Sequence, residues 1–113
     1  MKLRVLLLSL LVAAGLAACG KPVPADKAAF VGEWQRPEMY LLITQDGSVS
    51  YKRLKGGASV SVEGPLQGFE GDGFKVGVGP MSTSFRVDKP PHQTPDGAWR
   101  MTVDGVELTR TAQ

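Results

Sequence analysis

From Trp34 onward, apolar and polar residues alternate in short runs, and glycine or proline breaks each run. A period of two is the signature of a half-buried strand. The runs "MYLLIT" and "SVSYKRL" flank Gln45-Asp46-Gly47. A two-residue Asp46-Gly47 turn would pair Thr44 with Val49 and Leu42 with Tyr51. That would set Met39, Leu41 and Ile43 opposite Ser48, Ser50 and Lys52. A three-residue loop with Gly47 left-handed pairs Ile43 with Val49 and Leu41 with Tyr51. One face then holds Met39, Leu41, Ile43, Val49 and Tyr51. A one-residue slip swaps the faces, so hydrophobic segregation selects the three-residue loop.

The last hairpin selects the other solution. "AWRMTV" and "VELTR" flank Asp104-Gly105. A tight type I′ turn there pairs Val103 with Val106 and Met101 with Leu108. Trp99, Met101, Val103, Val106 and Leu108 then share a face. Between these hairpins, Val60 and Val62 alternate with serines, Phe74, Val76 and Val78 with Lys75 and Gly77, and Thr83, Phe85 and Val87 with Ser84 and Arg86. Gly56-Gly57, Gly64-Pro65, Gly71-Asp72-Gly73, Gly79-Pro80 and Pro90-Pro91 mark the junctions.

The pattern predicts an all-β domain. Its fold is a small antiparallel meander of about seven or eight short strands, barrel-like or a curled sheet. A short helix over Lys27–Val31, capped by Asp26, is expected ahead of it. With Phe74, Val76 and Val78 facing inward, Gly77 leaves a bare strip outside. The expected occupant of that strip is the helix around Ala28-Ala29-Phe30.

The N-terminus has a different character. Met1-Lys2-Leu3-Arg4 is cationic, and Val5 to Ala18 is apolar apart from Ser9. Such a run, ending in small residues, reads as a secretory signal over residues 1–18. It is shorter than the roughly 20 residues that a membrane-spanning helix needs. Cys19 is the only cysteine, so no disulfide within the chain can brace the domain. Residues 19–25 then read as an extended tether with two prolines, and 26–113 as the single β domain.

The stretch Leu16-Ala17-Ala18-Cys19 resembles the lipobox of bacterial lipoproteins. The resemblance implies cleavage before Cys19, a diacylglycerol on its sulfur and usually an acyl group, such as palmitate, on its new amine. Gly20 stands where some inner-membrane lipoproteins carry Asp. The resemblance therefore implies the outer membrane, with the domain facing the periplasm.

Charge sharpens this picture by exclusion. The chain has 13 Lys+Arg against 11 Asp+Glu, but Lys2 and Arg4 leave with the leader. A balanced mature chain has no electrostatic footprint for nucleic acid.

Candidate chemistry is sparse. His92, the only histidine, sits in "KPPHQTPDG", read as an exposed loop. No second histidine or free thiol accompanies it for a metal site or nucleophile pair. Glu70, Asp72 and Asp96 lack calcium-loop spacing, and turn chemistry accounts for Asp72 and Asp96. "GDGFKVGVG" opens a strand, so it lacks the helix N-terminus of a phosphate loop. No catalytic, cofactor or metal residue is assigned, and the chain is read as a non-enzyme. Lys52, Arg53 and Lys55 cluster near a hairpin end. They read as charge guarding a sheet edge, or as a contact for anionic headgroups or a partner.

Finally, Gly32-Glu33-Trp34 resembles the Gly-x-Trp motif of the lipocalin and wider calycin group. Arg110 sits where that group stacks a cation over the tryptophan. The resemblance implies that Gly32, Trp34 and Arg110 close one end of a barrel. Strands this short, with Trp34, Phe74, Phe85 and Trp99 to seat, favour a filled interior. Three functions remain open at this point. One is an envelope module that binds a protein or wall component. Another is a carrier of a small apolar ligand. The third is an inhibitor of a wall-lytic enzyme.

Overall fold

A computed structural model describes residues 20–111. Cys19 and the leader lie outside the described residues. The domain is all-β and antiparallel throughout. Its strands are β1 (Gly32–Arg36), β2 (Met39–Ile43), β3 (Ser48–Lys55), β4 (Ala58–Glu70), β5 (Gly73–Val78), β6 (Met81–Phe85), β7 (Val87–Gln93), β8 (Trp99–Val103) and β9 (Val106–Arg110). They form one sheet in the order β6-β5-β4-β3-β2-β1-β9-β8-β7.

The sheet curls into a half-barrel. Its two edge strands, β6 and β7, are consecutive in the chain and are separated only by Arg86. A clasp holds that junction. The Arg86 amide donates to Asp104 Oδ1 at 3.0 Å, and the Asp104 amide donates to the Arg86 carbonyl at 2.8 Å. The Gly105 amide donates to Asp88 Oδ2 at 2.8 Å.

Both hairpin registers follow from hydrophobic segregation. Ile43 pairs with Val49 and Leu41 with Tyr51, and Gly47 has a φ of 92°. Val103 pairs with Val106 and Met101 with Leu108. Asp104 and Gly105 both have positive φ, 47° and 81°, as a type I′ turn requires.

Other expectations need correcting. Gly64-Pro65 does not end a strand: β4 runs through it, pairing with β3 up to Pro65 and with β5 from Leu66. Pro65 sits where the chain changes partners, so its missing N–H removes little from either ladder. The segment read as a loop around His92 belongs to β7, an edge strand with register shifts. Prolines are tolerated there because the outer edge has no ladder to complete. The helix is a 3₁₀ turn over Ala25–Phe30, and Asp26 does not cap it. The Lys27 amide instead donates to the Pro24 carbonyl at 2.9 Å.

The interior is filled. Trp34, Leu41, Ile43, Met101, Val103 and Leu108 each have 0% exposure, so no water-sized void touches them. A file of rings runs from the 3₁₀ turn into this core. Phe30 meets Phe69 at 5.0 Å, Phe69 meets Phe74 at 5.9 Å, Phe74 meets Phe85 at 5.1 Å, and Phe85 meets Tyr51 at 4.8 Å. The 3₁₀ turn thus inserts Phe30 into the core and does not lie over Gly77. A Cβ on Gly77 would fall 2.1 Å from the Met81 carbonyl oxygen of its own hairpin. Across from it, a Cβ on Gly64 would fall 3.6 Å from the Gly77 Cα. Gly77 does mark close backbone approach, but the close neighbours are β6 and β4.

Candidate functional site

The residues expected to close a barrel end centre on β1. Trp34 stands opposite Leu41 on one side and Arg110 on the other. Its Nε1 donates to the Phe30 carbonyl at 3.0 Å, which satisfies the one polar atom of a fully buried indole. Gly32 begins the strand with a φ of 141°, a conformation that glycine adopts most easily. The Arg110 guanidinium lies 5.7 Å from the Trp34 ring and 4.9 Å from the Trp99 ring. The structure therefore brings Gly32, Trp34 and Arg110 together and adds Trp99. That second indole was visible in the sequence, because the Asp104-Gly105 turn, followed to its last pair, sets residue 99 against 110. The Arg110 guanidinium thus lies within cation–π reach of both indoles.

On the outer face beside this cluster lies a small hydrogen-bonded group. Tyr40 Oη donates to Glu33 Oε2 at 2.7 Å, and Thr111 Oγ1 donates to Glu33 Oε1 at 2.9 Å. The bond from Tyr40, then that from Thr111, holds the Glu33 carboxyl below its usual range. The same bond to Glu33 raises the Tyr40 phenol. A carboxylate depressed by folding stabilises the fold above its unfolded pKa and loses that effect as pH falls through the folded one. The melting temperature should therefore drop on acidification below the ordinary carboxylate range. Glu33→Gln should flatten that part of the profile, as thermal melts across an acid series would show.

The remaining polar candidates are in structural service. His92 Nδ1 lies 2.9 Å from the Pro90 carbonyl. Asp72 pairs with Lys27 at 3.3 Å and Glu70 with Lys75 at 3.1 Å. Asp96 accepts from Thr94 Oγ1 and the Ala98 amide within its turn. Those two bonds, the Thr94 one first, hold the Asp96 carboxyl below its usual range. Among the described residues, no group of three or more His, Cys, Asp and Glu is placed to hold a metal.

Two features lie elsewhere. Lys52, Arg53 and Lys55, towards the tip of the β3–β4 hairpin, form no ion pair among the described residues, whereas Lys27, Arg36, Lys75, Arg86 and Arg100 each do. The other feature is the segment after Cys19. It is extended, as its prolines dictate, but docked. The Lys21 amide donates to the Leu66 carbonyl at 3.1 Å and the Val23 amide to the Gln45 carbonyl at 3.0 Å. Gln45 Nε2 returns a bond to the Val23 carbonyl at 2.9 Å, and the Val23 side chain is buried. Gly20 is pressed so closely on Pro65 that a Cβ would fall 2.7 Å from the proline Cβ. These contacts are made largely by backbone, so the sequence carried no signal for them.

Comparison with known proteins found no family model, curated protein or solved structure that matches this chain.

Proposed function

We propose that this chain is a non-enzymatic envelope lipoprotein: a small filled β module, held on a membrane by lipid on Cys19, that binds an envelope protein or wall component. The observation that carries the reading is the docking of residues 20–23. The domain is packed up to the residue next to Cys19, so an acylated cysteine would leave it at one fixed point. The Leu16-Ala17-Ala18-Cys19 pattern supplies the chemistry of attachment. Each buried CH₂ of acyl chain contributes about 0.8 kcal/mol, and two or three chains make a firm anchor. Gly20 favours the outer membrane by the same resemblance.

The packed interior argues against a carrier. A ligand would have to displace side chains that already have no exposed surface. The test is fractionation of cells that express the full chain. The unaltered protein should float with membranes and move into detergent. Cys19→Ser should abolish processing to the acylated form. Recovery of the unaltered protein in the soluble fraction would refute the proposal.

A further inference from the structure

Among the described residues, the exposed large hydrophobic side chains are not scattered. They are Leu54, Val60, Val78 and Met81, at 62, 48, 69 and 80% exposure. All four sit at the tips of two hairpins, β3–β4 and β5–β6. Scattered exposed hydrophobics need no explanation, but a set confined to the ends of two neighbouring hairpins does.

The surface beside Gly20 and Lys21 supplies the explanation. A shallow groove runs over the outside of β4 and β5. Gly20, Lys21, Pro65, Gly77, Val78 and Gly79 are among the residues that line it. Met81 is the ladder partner of Val78. The missing side chain of Gly77 keeps this strip low. The residue before Gly20 is Cys19, so its lipid would emerge beside the same groove.

We infer that the tips of β5–β6 and β3–β4 rest on the bilayer that receives the Cys19 lipid, with Val78, Met81, Leu54 and Val60 dipping between headgroups. The inference rests on the lipoprotein reading. From Pro65 to Ala58, β4 extends the contact about 23 Å from the anchor, at roughly 3.3 Å per residue.

Charge favours an anionic lipid surface over a protein partner. Lys21 lines the groove, and Lys52, Arg53 and Lys55 flank Leu54 along β3; none forms an ion pair among the described residues. Lys89, on β7, and Arg110, held against the two indoles, are the other described cations in that state. Cations interleaved with exposed apolar residues match the interface, where phosphates lie just above acyl chains. Lipid and tips together give the domain two points of attachment and hence one orientation.

The test uses mature, acylated protein in vesicles of phosphatidylcholine and phosphatidylglycerol. With Cys19 blocked by lipid, a single new cysteine carries an environment-sensitive dye. The sites are Val78→Cys, Met81→Cys and, as a reference across the sheet, Glu107→Cys. Circular dichroism verifies that each variant is folded. Dyes at 78 and 81 should be blue-shifted and several-fold less quenched by aqueous acrylamide than the dye at 107. Combining Met81→Cys with Lys52→Glu, Arg53→Glu and Lys55→Glu should restore quenching, since each cation near an anionic surface is worth about fivefold in affinity. Equal quenching at 81 and 107 in vesicle-bound protein overturns the contact and spares the anchor. Protein that does not float with vesicles defeats the anchor reading itself.

Discussion

Replacing Trp34 by alanine should lower the melting temperature of the mature protein by roughly 15–30 °C, the largest effect expected of any single side chain. The indole is fully buried between β2 and β9 and donates to the Phe30 carbonyl. Truncating a buried tryptophan to alanine costs about 3–5 kcal/mol. In a domain this small, each kcal/mol shifts the midpoint by about 4–8 °C. A module without disulfides has only about 5–15 kcal/mol of stability to lose. Trp34→Phe should fall between the two, because it keeps most of the packing and leaves the Phe30 carbonyl without its donor, at about 1–3 kcal/mol. Circular dichroism melts measure all three. A melting temperature within a few degrees of the unaltered protein in Trp34→Ala would mean that the interior is not packed around this ring.

The second large effect is at Gly77, where alanine alone should suffice. Its φ of 133° is nearly closed to other residues, and the added Cβ would meet the Met81 carbonyl oxygen at 2.1 Å and the Ser82 Cα at 2.9 Å. Both neighbours are backbone and cannot swing aside. Backbone strain of this kind costs about 1–3 kcal/mol, and the collision adds to it, so a loss of at least about 3 kcal/mol is expected. Gly56 is the control. It also has positive φ, 58°, but nothing lies within 4 Å of its Cβ position. Gly56→Ala should therefore cost only the left-handed penalty of about 1–2 kcal/mol. Chemical denaturation of the two variants separates collision from conformation. Equal losses would contradict the close approach of β5 and β6.

These two sites show where the sequence was readable. The β2–β3 and β8–β9 registers followed from alternation and from the residues in each turn, because a wrong register would have turned hydrophobic side chains to water. Trp34 and Arg110 were found through a motif, whereas Trp99 needed only the hairpin register to be followed to its end. Gly77 advertised a close approach without naming its neighbour. The pairing of β1 with β9 joins residues far apart in the chain, so no local pattern encodes it. Gly64-Pro65 looked like a stop because both residues are strand breakers, yet the chain uses them to change partners within one long β4. The docked segment after Cys19 was illegible for another reason. Backbone amides hold much of it, and they carry no signature in the side chains.

The central claim is that the domain ends, at its N-terminal side, in a lipid. Intact-mass spectrometry of the mature protein, isolated from membranes with detergent, tests it most directly. The account predicts a chain that begins at Cys19 and carries the added mass of a diacylglycerol, with or without a third acyl group on the amine. A chain that retains residues 1–18, or one that begins at Cys19 with a free thiol, would contradict it.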